Sequence, residues 1–279
     1  MPDSIVNPML DVNAVNDALA QTIFVRRLHW FPQIDSTNLY AMQQGRTGAP
    51  HGSVYGADEQ TAGRGRGDHS WHSAAGQGLY VSVLVRPRIS ADQLVWLPLL
   101  AGLALHHAIL ETTALAADLR WPNDMLLHGR KCAGILVEAQ TDAAQGVLAV
   151  IGIGVNLHHR QFPAEMATPA TSLDLETGRV VENETLLIAL LQSLHMELSQ
   201  IDSPATRDAH YAAIPSRLEV ISTWIRGKSV TVHGPQSAQG VTAGLDAQGF
   251  LRLRTENGTI TITTGGLRER TASSGTKGH

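Results

Sequence analysis

Residues 60–71, QTAGRGRGDHSW, form the stretch best suited to chemistry on an anion. Glycine lets backbone N–H groups approach a ligand closely, and the arginine guanidinium presents a fork of donors to phosphate oxygens. This Arg-Gly loop (residues 60–71) could therefore wrap a polyanion. Taken alone, the run favours a solvated linker, and an RNA-binding Arg-Gly segment or an adhesion tripeptide at 66–68 is also compatible with it.

A second block with chemical potential reads WPND over 121–124 and RKCAGILVE over 130–138. An extended segment and a hairpin bring Asp124 and Lys131 toward one end of the same predicted sheet. A lysine beside phosphate stabilises charge on a transferring group, and a carboxylate can accept a proton from an incoming amine. Each residue also has a purely structural interpretation, Asp124 as a turn residue and Lys131 as a solvated strand end.

The elements that must position these blocks follow from caps, prolines and apolar periodicity. Helices are predicted over about 13–24, 37–44, 90–113, 183–201 and 204–214. Strands are predicted at 53–58, 78–85, 119–121, 125–127, 131–140 and 146–156, with a hairpin turn at 128–129 and irregular chain over 157–182. Short alternating strands at 230–232, 241–244, 251–253 and 259–262 indicate a small β-barrel.

Bulk composition limits the class of protein. The chain has 279 residues, 43 % of them apolar, and a formal net charge of −4, which favours a globular protein and disfavours a general nucleic-acid binder. Cys132 is the only cysteine, so no internal disulfide can form and a reducing compartment is expected. No apolar run of about 18–20 residues predicts a membrane span, and no secretory signal is recognised, so we expect a cytoplasmic protein.

Several familiar sites are not predicted. The sequence has no P-loop, no HExxH pair, no Gly-x-Ser-x-Gly elbow and no Cys/His metal spacing. Residues 152–156, GIGVN, have only two glycines of a dinucleotide fingerprint and do not open a helix. The adjacent pairs His106-His107 and His158-His159 are not assigned to a site, and no metal ligands are predicted.

Six motifs follow one another along the chain: DSTN at 35–38, QTAGRGR at 60–66, WPND at 121–124, RK at 130–131, AGILVE at 133–138 and GIGVN at 152–156. With these motifs the chain resembles the biotin–protein ligases (biotin–[acetyl-CoA-carboxylase] ligases). The resemblance covers about residues 29–157, and the small C-terminal barrel also matches in kind. It implies an α+β fold, a mixed and mostly antiparallel sheet with helices like that of class II aminoacyl-tRNA synthetases, followed by a small SH3-like β-barrel.

The resemblance divides the chain into an N-terminal lead (1–28), a catalytic biotin- and ATP-binding domain (29–225), an SH3-like domain (226–270) and a disordered tail (271–279). It implies a two-step reaction. Biotin and ATP, with Mg²⁺, give biotinyl-5′-AMP and pyrophosphate. Biotin then passes to a lysine of the biotin carboxyl carrier protein of acetyl-CoA carboxylase. We expect no DNA binding, because the lead is too short for a helix-turn-helix, and a monomer or homodimer.

The resemblance also implies residue roles. The catalytic residues would be Lys131, Arg66 and Asp124. The biotin-binding residues would be Ser36, Thr37, Asn38, Gln60, Gly63, Arg64, Lys131, Gly134, Leu136 and Gly152. The ATP-binding residues would be Arg64, Arg66, Trp71, Asn123, Lys131 and Asn156.

Two departures from the family pattern stand out. Residues 67–70, GDHS, replace further basic residues, so Asp68 lowers the charge of the loop. Residues 265–270 match the family's closing pattern only roughly, which leaves open whether Arg268 or Arg270 meets ATP. Two other functions stay open: a lipoate–protein ligase or transferase of the same superfamily, and a non-catalytic nucleic-acid-binding regulator.

Overall fold

A seven-stranded mixed sheet forms the centre of the computed structural model, which describes residues 10–67, 69–142, 146–162 and 168–270. Its first two strands pair in parallel and all other neighbours pair antiparallel. The spatial order is β1-β2-β3-β7-β6-β5-β4. The strands are β1 Leu28–Phe31, β2 Ser53–Ala57, β3 Gly78–Val85, β4 Asp118–Arg120, β5 Asp124–Leu127, β6 Arg130–Asp142 and β7 Gly146–Asn156.

Helices cover the sheet and complete the core. They are α1 Val12–Ala18, α2 Thr37–Arg46, α3 Trp96–Thr113, α4 Leu173–Thr177, α5 Asn183–Asp202 and α6 Arg207–Ile221, and a 3₁₀ turn Ala91–Val95 leads into α3. The mixed, mostly antiparallel α+β architecture predicted from the sequence is confirmed. It gives the site a rigid floor, because β6 and β7 are the long central strands of the sheet.

The segment Ala91–Thr113 is long and apolar enough to cross a membrane by length and composition, which the sequence analysis did not predict. Within its most apolar window, 67 % of the residues are buried inside the fold. Leu97, Leu100 and Leu105 are fully buried in the main core. The helix therefore packs as the central core helix of this domain, in agreement with the helix predicted over about 90–113.

A second, five-stranded antiparallel sheet begins at Arg226 and has the order β11-β10-β9-β8-β12. Its strands are β8 Arg226–His233, β9 Ala238–Leu245, β10 Leu251–Thr255, β11 Gly258–Ile262 and β12 Gly266–Glu269. Four of these strands were predicted. β12 was not, because Leu267 is its single buried residue and a four-residue strand with one buried position shows no alternating pattern. β12 pairs with β8 and so brings residues 264–268 back toward the first sheet.

The helix predictions were wrong in three places. α1 ends at Ala18, and Leu19 and Phe24 are buried by turns and not by a continued helix. α6 runs through Pro215 to Ile221, because burial of Ile214 and Leu218 on either side of the proline holds the helix together. The segment predicted as irregular contains α4, capped by the Ser172 side chain. The tail 271–279 lies outside the described residues.

Candidate functional site

A cavity of about 830 Å³ lies between the exposed face of the first sheet, the Arg-Gly loop and the edge of the second sheet. Of the residues predicted for the site, all but Gly63 line it. These are Ser36, Thr37, Asn38, Gln60, Arg64, Arg66, Trp71, Asn123, Asp124, Lys131, Gly134, Leu136, Gly152 and Asn156.

Gly63 has a packing role inside the loop. Its carbonyl accepts the Trp71 N–H at 2.9 Å, and a Cβ added to it would lie 2.5 Å from the Trp71 carbonyl oxygen. Gly65 donates its N–H to the His69 carbonyl at 2.7 Å. The loop thus folds back on itself as a narrow hairpin. Only glycine fits at position 63, because any side chain there would meet the Trp71 backbone.

One end of the cavity is a network of neutral hydrogen-bonding groups. Gln60 Oε1 accepts from the Thr37 N–H at 2.9 Å and from Thr37 Oγ1 at 3.0 Å, and Gln60 Nε2 donates to Ser73 Oγ at 2.8 Å. Ser82 Oγ lies 2.8 Å from Thr37 Oγ1. Ser36 caps helix α2 just before Thr37. This neutral end suits a polar, uncharged ligand group.

Asn38 joins this end to the Arg-Gly loop. Its Oδ1 accepts from Ser82 Oγ at 2.6 Å, and its Nδ2 donates to Glu138 Oε2 at 3.0 Å. Glu138 in turn holds Arg64, with Arg64 Nη1 at 2.9 Å from Oε1. A Cβ at Gly152 would lie 2.0 Å from Asn38 Oδ1, so the close approach of α2 to strand β7 requires glycine there.

Charged groups occupy the centre. Lys131 Nζ lies 2.6 Å from Asp124 Oδ1, and Arg120 Nη2 lies 2.6 Å from Asp124 Oδ2. Burial alone would raise the pKa of Asp124, but the two cations outweigh it and the pKa is lowered. Asp124 therefore stays ionised at neutral pH and holds two cations at fixed positions on the cavity wall. Arg120 is only 8 % exposed and was not predicted as a site residue.

Arg66 bridges the two sheets. Its Nη1 donates to the Gly265 carbonyl at 3.0 Å and lies 3.4 Å from Asn123 Oδ1, and Nη2 lies 3.5 Å from Thr264 Oγ1. Burial lowers the pKa of Arg66, although the guanidinium remains charged at neutral pH. A loop cation is thus fastened to the second sheet at the mouth of the cavity.

Asn123 and Asn156 crosslink backbone segments. Asn123 Nδ2 donates to the Ile135 carbonyl at 2.8 Å, and Asn156 Nδ2 donates to the Thr171 carbonyl at 3.0 Å. Asn156 Nδ2 also lies 3.4 Å from the Lys131 carbonyl. Both amides therefore fix the backbone around Lys131 while lining the cavity.

Trp71 lies on the two glycines that face each other across strands β6 and β7. A Cβ at Gly154 would lie 2.5 Å from Trp71 Nε1, and one at Gly134 would lie 2.9 Å from its Cζ3. Lys131 Nζ is 5.2 Å from the indole centroid. Within the part of the chain that the structure describes, the buried indole N–H has no hydrogen-bond partner. Because residues 134 and 154 are glycines, the Trp71 ring packs directly on the sheet beside the charged centre.

The far end of the cavity is formed by rings. The His159 ring lies 5.2 Å from that of Phe162 and 5.6 Å from that of His72. Burial lowers the pKa of His159 to about 4; His72 and His158 lower the pKa further, and a hydrogen bond with the Gln77 backbone opposes them. His159 was not predicted as a site residue, since an adjacent histidine pair carries no indication of burial.

The cavity residues that the structure describes do not form a divalent-cation site of their own. In the described part of the chain, no three His, Cys, Asp or Glu side chains come together as a possible metal cluster. Asp124 is the only carboxylate among the residues lining the cavity that the structure describes, and it is already paired with two cations. Cys132 is fully buried, and burial raises the pKa of its thiol to about 12, which makes it a core residue.

Two family models match the chain. Residues 30–156 match the biotin/lipoate A/B protein ligase family, and residues 226–266 match the biotin protein ligase C-terminal domain. The chain is 35 % identical to the biotin–[acetyl-CoA-carboxylase] ligase of Paracoccus denitrificans over 79 % of this chain and 91 % of the relative. It is 31 % identical to the enzyme of the same name from Mycobacterium tuberculosis over 93 % and 96 %. The chain belongs to the biotin protein ligase family.

Structural similarity supports this membership. The biotin protein ligase from Aquifex aeolicus in complex with biotin and ATP superimposes with a TM-score of 0.73 at 29 % identity, covering 88 % of this chain and 100 % of that one.

The chain is also 34 % identical to the bifunctional ligase/repressor BirA of Bacillus subtilis, over 65 % of its own length and 57 % of that relative's. The match to BirA of Escherichia coli is 30 % and covers 67 % of that relative.

Proposed function

We propose that the protein is an ATP-dependent biotin–protein ligase, which forms biotinyl-5′-AMP and then transfers biotin to a lysine of a biotin carboxyl carrier protein. The observation that carries the proposal is the order of groups along one cavity. A neutral hydrogen-bonding end leads to a Lys131–Asp124–Arg120 centre and then to a ring-lined end. Biotin and ATP require these environments in that order, because together they present an uncharged ureido ring, a carboxylate meeting a phosphate, and a nucleotide base.

In the first step, an oxygen of the biotin carboxylate forms a bond to the α-phosphorus of ATP, and the bond to pyrophosphate breaks. Both reactants are anionic, so the cost of their approach falls when fixed cations face them. Lys131 lies at the charged centre, and Arg64 and Arg66 lie at the loop side of the cavity. These cations are held before the ligand arrives, so little reorganisation accompanies the reaction.

In the second step, the carrier lysine attacks the acyl carbonyl as a free amine, and AMP leaves with the electrons of the broken bond. The ammonium group of this lysine must first lose a proton to become the attacking amine. Asp124 is the ionised carboxylate nearest this centre, and its contacts with Lys131 and Arg120 keep it charged at neutral pH. We assign proton acceptance to Asp124 and charge neutralisation to Lys131 and Arg66.

The remaining assignments follow the position of each residue in the cavity. Biotin would be held by Ser36, Thr37, Asn38, Gln60, Gly63, Arg64, Lys131, Gly134, Leu136 and Gly152. ATP would be held by Arg64, Arg66, Trp71, Asn123, Lys131 and Asn156. Gly63 would act through the loop backbone, since its own atoms do not line the cavity.

Mg²⁺ would enter with ATP, bound by phosphate oxygens and water, as is usual for this ion. The chain supplies no cluster for it among the described residues, so none of the roles above depends on a protein-bound metal. We further propose that acetyl-CoA carboxylase supplies the carrier, that the protein is cytoplasmic, that it does not bind DNA, and that it acts as a monomer or homodimer.

Labelled biotin tests the proposal directly. With ATP, the protein should transfer the label to a carrier domain, and a carrier whose target lysine is replaced by arginine should stay unlabelled. No labelling by a folded preparation would overturn the assignment. Lipoate in place of biotin tests the lipoate–protein ligase alternative, which the match to the biotin protein ligase C-terminal domain disfavours. Gel shifts with DNA and RNA at physiological salt test the regulator alternative.

A further inference from the structure

Asp124 on strand β5 has a cation at each of its two carboxylate oxygens. Lys131 Nζ lies 2.6 Å from Oδ1, and Arg120 Nη2 lies 2.6 Å from Oδ2. The proposed ligase function also places Lys131 against the carboxylate of biotin and the α-phosphate of ATP. A single ammonium that faces both Asp124 and such a ligand would divide its charge between two anions that repel each other. The second cation at Asp124 therefore needs an explanation.

The guanidinium of Arg120 is held in one place. Arg120 stands directly opposite Asp124 in the pairing of β4 with β5. Its Nη2 donates one hydrogen to Asp124 Oδ2 and the other to Thr168 Oγ1 at 3.0 Å. The centre of the guanidinium lies 5.4 Å from the centroid of the Trp224 ring, and the side chain is only 10 % exposed. A planar group with these contacts has little freedom to follow a ligand.

The strand that carries Arg120 is also fastened from outside the cavity. Ser222 Oγ donates to the Leu119 carbonyl at 2.6 Å, and the Thr223 N–H donates to Asp118 Oδ1 at 3.0 Å. Both contacts come from the segment that joins α6 to the second sheet. The backbone and the side chain of Arg120 are thus fixed by contacts that do not depend on a ligand.

Lys131, by contrast, has a fixed backbone and a movable charge. Its N–H donates to the Pro169 carbonyl at 2.7 Å, and its carbonyl accepts from the Thr171 N–H at 3.0 Å. Its ammonium ends a flexible four-carbon stem, and 23 % of the side chain is exposed. Nζ lies 5.2 Å from the centroid of the Trp71 ring on the cavity wall. Rotation about the stem therefore moves the charge within the cavity without any change in the strand.

We propose that Arg120 is the fixed counter-ion of Asp124, which holds this carboxylate in place when Lys131 turns to the anionic ligand. Two cations then serve two anions, so the ligand does not compete with Asp124 for Lys131. Arg120 is a positioning residue, because it acts on the ligand through Asp124 and Lys131. This inference rests on the proposed ligase function and adds to it the residue that makes Lys131 available.

The electrostatics of Asp124 agree with this role. Burial raises the pKa of Asp124, and the charges of Lys131 and Arg120 lower it. Once Lys131 has turned to the ligand, Arg120 is the cation that still opposes the effect of burial. Asp124 thus stays ionised for the second step, in which it is assigned to accept a proton.

Arg120→Met removes the charge and keeps an apolar stem. We expect biotin-dependent exchange of labelled pyrophosphate into ATP to slow on the order of tenfold to a hundredfold, because Asp124 then retains Lys131. Arg120→Lys, which keeps a cation near Asp124, should retain more exchange than Arg120→Met. Replacing the carboxylate removes the competition for Lys131. The loss caused by Arg120→Met should therefore be at least about tenfold smaller in a protein that already carries Asp124→Asn.

Arg120→Gln makes the test independent of whether the methionine variant folds. It keeps a donor for the carboxylate and removes only the charge, and we expect the same smaller loss beside Asp124→Asn. Arg217→Met is the matched control, because Arg217 pairs with Glu197 and neither is among the described residues that line the cavity. It should leave the exchange rate unchanged, whatever its effect on the melting temperature.

Equal losses from the Arg120 substitutions with Asp124 present and with Asp124→Asn would overturn the inference. Such a result would show that Arg120 meets the ligand directly or only supports the fold. An unchanged exchange rate in Arg120→Met would overturn it as well. Failure of the unsubstituted protein to exchange pyrophosphate in the presence of biotin would instead overturn the ligase function.

Discussion

Lys131 Nζ and Asp124 Oδ1 lie 2.6 Å apart on the cavity wall, and Arg120 approaches the other oxygen of the same carboxylate at the same distance. The two cations share one anion, so the cluster carries a net positive charge. Ion pairs of this kind are costly to desolvate and contribute little to stability when considered alone. Their arrangement is explained by function, because the two cations share one carboxylate and the remaining positive charge can bind an anionic ligand.

Replacing Lys131 tests this explanation. We expect Lys131→Ala to reduce the rate of pyrophosphate release in the presence of biotin and ATP by about two to three orders of magnitude, the typical loss when one group that stabilises developing charge is removed. Lys228→Ala is the matched control, because Lys228 pairs with Glu269 in the second sheet and does not line the cavity. An unchanged rate in Lys131→Ala would show that the charged centre is wrongly assigned.

Gly152→Ala tests the neutral end. The added Cβ would lie 2.0 Å from Asn38 Oδ1 and displace the amide from Ser82 and Glu138. We expect biotin affinity, measured by calorimetry, to fall about tenfold or more, with a loss of about 1–3 kcal/mol in the free energy of unfolding from overpacking. Gly266→Ala, which meets no atom within 4 Å, should leave biotin affinity unchanged. Equal affinities in both variants would contradict the placement of biotin beside Asn38.

The choice between the two C-terminal arginines is also testable. Arg268 lines the cavity, whereas Arg270 is not among the lining residues that the structure describes. We expect Arg268→Ala to raise the KM for ATP about three- to tenfold through the loss of an exposed charge contact, and Arg270→Ala to leave it unchanged. Steady-state assays at saturating biotin measure both. The reverse order of effects would mean that the second sheet meets ATP through a different edge.

The pKa of His159 makes stability depend on pH. Its value of about 4 in the folded protein lies below the ordinary value of 6.5. The imidazole is therefore neutral in the fold, and its contribution is fully present above pH 6.5 and is lost as pH falls toward 4. Urea unfolding of the unsubstituted protein should show this decline, and His159→Phe should show a shallower one. Parallel curves for the two proteins would indicate that His159 titrates normally.

Much of this fold could be predicted from local sequence. Strand β3 was predicted with its observed bounds, because the run that begins at Gly78 is apolar except for Ser82 and ends just before Pro87. The hairpin turn at His128 and Gly129 is confirmed by positive φ angles of 49° and 76°, which His-Gly tolerates. Most predicted site residues line one cavity, because each belongs to a motif on which the resemblance to the biotin–protein ligases rests or stands close to one.

The residues that the sequence analysis missed depend on register and long-range packing. Ser82 is one polar residue in an apolar strand, and only the pairing of β3 with β7 and its contact with α2 bring it to Thr37 and Asn38. Arg120 ends a three-residue strand and reaches Asp124 only after the chain turns back. Neither position has a local signal that distinguishes it from a solvated side chain.

Biotin-dependent exchange of labelled pyrophosphate into ATP tests the central claim most directly, because it reports adenylate formation without a carrier protein. We predict exchange that requires biotin, is not supported by lipoate, is nearly abolished by Lys131→Ala and is retained by Lys228→Ala. Exchange that proceeds equally well without biotin, or that Lys131→Ala leaves intact, would contradict the assignment of this cavity to biotin and ATP.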